Sequence, residues 1–167
     1  KAVHGNGFKE EFVDDAATLS LIEKYGDVCD DLHTDLHECL GHGSGQLLPG
    51  TDPDALKAYG NTIEEARADL FGLYYIADAK LIELGLLPDG EAYKAQYYSY
   101  IMNGLMTQLI RIEPRHQIEE AHMRNRALIA HWCYSQGDVI RLEHREGKTF
   151  VRITDYQALR TLFAQLL

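Results

Sequence analysis

The chain has 167 residues, 46% of them hydrophobic, enough for one ordinary domain with a packed core and too few to promise a second. Lys and Arg total 16 against 26 Asp and Glu, a formal net charge of -10 with no basic stripe, which argues against nucleic acid or an anionic membrane as a partner. Lys1 to Gly7 contains no apolar run of signal-peptide or membrane-span length, and no Met opens the chain, so a natural start outside it is expected; the expected location is cytoplasmic, with periplasmic or exported as the alternatives.

Residues 1–8 read as irregular around Gly5, Asn6 and Gly7. A helix from about Glu10 to Tyr25 would place Phe12, Ala16, Leu19 and Ile22 near one face, with Gly26 as its end. A second helix, about Val28 to Gly41, carries Val28, Leu32, Leu36 and Leu40 at intervals of four as a core stripe. Asp52-Pro53 reads as an N-cap and first helical residue of a short helix to about Tyr59, broken by Gly60-Asn61. Thr62 to about Leu84 is expected to form one long helix, opened by Thr62 and Glu65 as a capping box and closed by Gly85 and Pro88-Asp89-Gly90.

The next helix, about Glu91 to Ile112, bears Tyr93, Tyr97, Tyr98, Tyr100, Met102 and Met106, a stripe that reads as core, and stops at Glu113-Pro114. A fifth runs from about Gln117 to Tyr134. Beyond Gln136-Gly137 the period becomes two: Ile140, Leu142, Val151 and Ile153 alternate with Val139, Arg141, Glu143, Phe150 and Arg152 about Glu146-Gly147-Lys148, which predicts a β-hairpin. An isolated hairpin is marginally stable, so this one must lean on the helices or on further sheet. Thr154 or Asp155 caps a last helix to Leu167. The expected fold is mainly α, a bundle-like helical lobe with one C-terminal hairpin.

Cys29, Cys39 and Cys133 form no C-x-x-C pair and read as reduced, buried thiols, which disfavours zinc held by cysteine. The strongest chemical signal is His37-Glu38-Cys39-Leu40-Gly41-His42, two imidazoles flanking an acid, as a hydrolytic metal site requires. Histidines four apart lie about 40° apart around a helix, but five apart they lie about 140° apart, so a regular helix cannot aim both at one ion. A π-type bulge at Cys39 to Gly41 would absorb the extra residue, and Gly41 suits it because it lacks a Cβ.

A third ligand is available in Glu64-Glu65-Ala66-Arg67-Ala68-Asp69 on a separate helix. Glu65 and Asp69 share a face, so Glu65 can bind metal while Asp69 accepts a hydrogen bond from the far nitrogen of a ligating histidine, with Glu64 free to serve the other. Alternatively these acids form the capping box and a dipole-favoured first turn. His122 and Arg126 share a face of the fifth helix; His33 and His131 read as structural, and His4, His116 and His144 fall in no pattern.

The HExxGH stretch with its Gly43-Ser44-Gly45 exit, paired with EExRAD, resembles the double signature of the dipeptidyl peptidase III family of zinc metallopeptidases. That resemblance implies Zn²⁺ on His37, His42 and Glu65, water activation by Glu38, support of the ligand histidines by Glu64 and Asp69, and release of dipeptides from the N-termini of short peptides. Glu120-Ala121-His122-Met123-Arg124-Asn125-Arg126 resembles the family segment whose histidine stabilises the transition state and whose arginine contacts substrate, here His122 and Arg126. Ala66 stands where a cysteine is common, a harmless change at a non-ligand position, and the interval from His42 to Glu65 is shorter than in animal members, as if a loop were trimmed. The resemblance covers part of the zinc-bearing helical lobe of a two-lobed enzyme. Residues 1–167 are thus expected to be one domain of that lobe, and the remaining lobe, with much of the peptide-binding surface and a tyrosine that helps stabilise the transition state, is the expected partner. The competing reading is a non-catalytic helical fragment that binds zinc or peptide.

Overall fold

A computed structural model describes residues 11–13, 15–107 and 121–167. The helix start at Glu10, the stop at Glu113-Pro114 and the start at Gln117 lie outside the described residues. Within them the chain is mainly helical: α1 (Ala16–Leu36), α2 (Gly60–Ile76), α3 (Ala79–Glu83), α4 (Tyr93–Met102), α5 (Ala121–Ser135) and α6 (Tyr156–Leu166), with one hairpin of β1 (Ile140–Arg145) and β2 (Lys148–Ile153). α1 packs on α2 and α4, α2 on α5, and α6 crosses α2 and α5.

α1 is longer than expected. Asp15 caps it, its carboxylate accepting from Thr18 N at 2.7 Å, and the helix runs through Gly26 to Leu36. A mid-helix glycine costs roughly 1 kcal/mol, which burial of Ile22, Tyr25, Cys29, Leu32 and Leu36 along one stripe outweighs. That stripe advances by three and four residues in turn. The interval-of-four stripe expected from sequence drifts about 40° per step, so Leu32 and Leu36 are buried while Val28 and Leu40 at its ends are exposed.

Asp52-Pro53 opens only turns and a 3-10 turn at Lys57–Tyr59, and Gly60 begins α2 rather than breaking a helix. Thr62 is buried inside α2 and caps nothing; the N-cap position is Tyr59. The long helix expected to Leu84 is cut at Ala77, because Asp78 caps a new helix, α3, by accepting from Lys80 N. α4 passes at Met102 into a π turn at Asn103–Thr107, and the expected end near Ile112 lies outside the described residues. Its aromatic stripe is core, and the buried hydroxyls are satisfied: Tyr97 donates to Leu73 O at 2.7 Å and Tyr98 to Val151 O at 2.6 Å.

The hairpin pairs Ile140 with Ile153 and Leu142 with Val151 around the two-residue loop Glu146-Gly147, both at positive φ. It leans on the helices by burying Ile140 and Val151 in their core. Asp155 is the cap of α6, accepting from Gln157 N and Ala158 N at 2.9 Å each. Cys29 and Cys133 are buried, but Cys39 is exposed, because it lies on the outer side of the turn that follows α1.

Candidate metal centre

The five residues after α1, His37–Gly41, form a π turn, followed by a 3-10 turn at His42–Ser44. The wider turn absorbs the awkward spacing, and the Nε2 atoms of His37 and His42 lie 3.1 Å apart. Gly41 is required for packing rather than for a positive φ, since its φ is -62°. A Cβ there would sit 2.6 Å from Ala68 Cα and 2.9 Å from Ala68 O, so the bare glycine lets the π turn rest directly on α2.

α2 then delivers three carboxylates. Glu65 Oε2 lies 3.2 Å from His37 Nε2 and Glu65 Oε1 3.7 Å from His42 Nε2. Asp69, one turn on, takes His37 from behind: its Oδ1 accepts from Nδ1 at 2.6 Å. Glu64 does the same for His42, Oε1 accepting from Nδ1 at 3.0 Å. An ionised carboxylate can only accept, so both histidines carry a proton on Nδ1, and in the neutral rings Nε2 is the atom left to bind an ion.

Electrostatics hold that arrangement. Burial opposes ionisation of Asp69, but hydrogen bonds from His37 and Tyr100 and the adjacent His33 and His37 imidazoles keep its carboxyl below the usual range. The Asp69 hydrogen bond raises His37 against the desolvation that lowers it. Glu64 is held down at about 2, first by Arg67 and then, against some desolvation, by His42. Arg67 was not singled out from sequence. It donates to both Glu64 oxygens (2.8 and 2.7 Å), to Gly41 O (2.8 Å) and to Ser44 Oγ (3.1 Å), tying the end of the π turn to the acid that supports His42. Its only sequence signal is its place three residues after Glu64 in the second motif.

The donor set fits a metal ion. Two imidazole nitrogens with outward tautomers and one carboxylate bring ligand atoms within 4.8 Å of one another. Tetrahedral ligands about 2.0–2.1 Å from a zinc-sized ion lie roughly 3.3 Å apart; two edges here, at 3.1 and 3.2 Å, are close to that, and the His42–Glu65 edge is wider at 3.7 Å. Glu65 Oε2 is buried and makes no hydrogen bond among the described residues, although His37 Nε2 and His122 Nδ1 each lie 3.2 Å from it, and the two Nε2 atoms face each other at 3.1 Å, an arrangement that a cation between them would stabilise.

Glu38 is exposed on the π turn, near enough to His37 for its charge to favour the imidazolium. His122, at the start of α5, is also largely exposed, with Nδ1 3.2 Å from Glu65 Oε2 and its ring 6.4 Å from that of His37. Arg126 does not join the cluster: it lines a small polar cleft with Asp30, Gln96 and Asn103, its guanidinium over the Tyr100 ring. His33 is buried against α2, where desolvation pushes its pKa down.

Residues 51–161, well over half of the chain, match peptidase family M49. The chain belongs to peptidase family M49. The matched stretch holds Glu64, Glu65, Asp69, His122 and Arg126 and begins after His42, so the histidine pair adds to the family match independently of it. Members of this family are metallopeptidases, and His37, His42 and Glu65 are the residues here that could hold the ion. No described helix is long and apolar enough to cross a membrane.

Proposed function

We propose that this M49 chain is the zinc-bearing catalytic part of a peptidase that, in its parent protein, removes dipeptides from the N-termini of short peptides. The observation that carries the reading is the convergence of His37 Nε2, His42 Nε2 and the Glu65 carboxylate, with both Nδ1 protons anchored on Asp69 and Glu64. Zn²⁺, when bound, supplies Lewis acidity that polarises the scissile carbonyl and acidifies water. Glu38 takes the proton from the attacking water and returns it to the leaving amine. His122 donates a hydrogen bond to the oxygen on which charge develops, and Arg126 contacts the bound peptide.

Glu38 and His122 are both exposed on this chain. General acid–base and oxyanion chemistry works best where water is excluded, which favours a cleft closed by further protein surface, as the expected second lobe would supply. Without that surface the chain is a metal- and peptide-binding unit with little turnover.

Glu38→Gln in the parent protein separates the roles: zinc content should stay near one equivalent while peptide hydrolysis falls by at least about 10³-fold, the scale of a lost general base. Retained hydrolysis would remove Glu38 from the chemistry. Less than half an equivalent of zinc in wild-type protein purified without chelators would count against the ligand set.

A further inference from the structure

Asp69 is gripped from two sides. Oδ1 accepts from His37, while Oδ2 accepts from Tyr100 OH at 2.7 Å and from Asn125 Nδ2 at 3.0 Å. Tyr100 belongs to α4 and Asn125 to α5, so three separate segments meet on one buried carboxylate of α2. We infer that Tyr100 and Asn125 are positioning residues of the metal centre: through Asp69 they fix the rotamer that holds the His37 Nδ1 proton, and so aim the Nε2 lone pair at the ion. This rests on the metal-site reading proposed above.

Two comparisons on the same helices support it. Tyr97 and Tyr98, like Tyr100, bury their rings, but their hydroxyls end on main-chain carbonyls of Leu73 and Val151, the ordinary way to satisfy a core tyrosine. Tyr100 instead donates to the carboxylate behind a candidate ligand. Asn125 is completely buried, and its Oδ1 has no hydrogen-bond partner among the described residues. Leaving an amide oxygen unsatisfied is costly, and flipping the amide would turn that oxygen towards the Asp69 carboxylate. The orientation that keeps Nδ2 on Asp69 is therefore retained at the expense of Oδ1. A carboxylate has about four acceptor positions, and with three donors placed around it Asp69 has little freedom to swing away from His37. Outer partners of this kind typically change metal affinity by 10–100-fold.

The test compares Tyr100→Phe and Asn125→Leu with Tyr97→Phe, measuring Zn²⁺ affinity by chelator competition, the visible spectrum of the Co²⁺-substituted protein, and Tm. Tyr100→Phe is expected to weaken Zn²⁺ binding about 10-fold and to shift the Co²⁺ bands. Tyr97→Phe, which removes an equally buried hydroxyl, should lower Tm comparably with affinity and spectrum unchanged. Asn125→Leu removes the unsatisfied oxygen together with the donor, so its affinity should fall while Tm holds. Zn²⁺ affinities of Tyr100→Phe and Asn125→Leu within twofold of wild type would overturn the inference while leaving the metal site standing. A wild-type protein that binds no Zn²⁺ would overturn both.

Discussion

Replacement of Gly41 by alanine tests whether the π turn must lie directly on α2. The new Cβ would sit 2.6 Å from Ala68 Cα, 2.7 Å from Ala68 Cβ and 2.9 Å from Ala68 O. Ordinary carbon–carbon contacts lie at about 3.5–4.0 Å, so turn and helix must part by roughly 1 Å, and no flexible side chain is there to yield. Overpacking of this kind costs about 1–3 kcal/mol. With only backbone and a Cβ opposing it the upper end applies, which for a domain of this size lowers Tm by about 6–12 °C. The same displacement carries His37 and His42 away from Glu65 by several times the roughly 0.2 Å that ligand distances tolerate, so zinc affinity should fall at least about 10-fold. Gly43→Ala is the matched control, because its Cβ would meet only Glu38 O at an ordinary 3.6 Å. Thermal unfolding and chelator competition on the two variants give the answer. If Gly41→Ala keeps its Tm within about 2 °C and its zinc affinity within twofold of wild type, the close approach does not set the ligand geometry.

Thiol titration should give one fast equivalent per native chain, from exposed Cys39, because burial pushes both Cys29 and Cys133 up to about 12; a second fast equivalent would contradict that burial. Arg67→Ala should lower Tm at pH 7 by about 2–4 °C, corresponding to roughly 1 kcal/mol for a partly exposed pair screened by solvent. The sign of its pH dependence follows from Glu64: a carboxyl held at about 2 when folded, against about 4.3 when unfolded, stabilises the fold above the unfolded value and loses that contribution as pH falls towards 2. The gap between wild type and Arg67→Ala should therefore narrow between pH 6 and pH 3, and a constant gap in thermal scans would show that the Glu64 pair is not its source.

The hairpin and the motif histidines were legible because their signals are local. A period of two around Glu146-Gly147 names strands and turn together, and an HExxGH string names its own bulge through the angle its spacing forbids. Helix ends were less legible because tertiary burial decided them. Gly26 reads as a stop, yet Tyr25 and Cys29 on either side of it are buried in a continuous stripe; Thr62 reads as a cap, yet its side chain is enclosed by the fold. Arg126 shares a helix face with His122, but spacing does not name the neighbours of its long side chain, which come from α1 and α4, Tyr100 among them. Tyr100 and Arg67 were hidden because their partners, Asp69 and Gly41, are 31 and 26 residues away.

The two π turns share a device that gives the small residues of the motifs a physical role. Gly41 lies on Ala68 of α2, and Gly104, in the turn that follows α4, lies against Ala130 and the Arg126 carbonyl of α5, where a Cβ would overlap both. A π turn pushes one residue outward from the helix cylinder, and with any larger side chain at the contact the bulge would hold the neighbouring helix away. With glycine it brings that helix in. The helices so docked are the ones that carry Glu64, Glu65 and Asp69 in one case and His122 and Asn125 in the other. Gly41 of the first motif and Ala68 of the second are thus two halves of one contact, so the paired motifs specify the distance between the histidines and their carboxylates as well as the candidate ligands themselves.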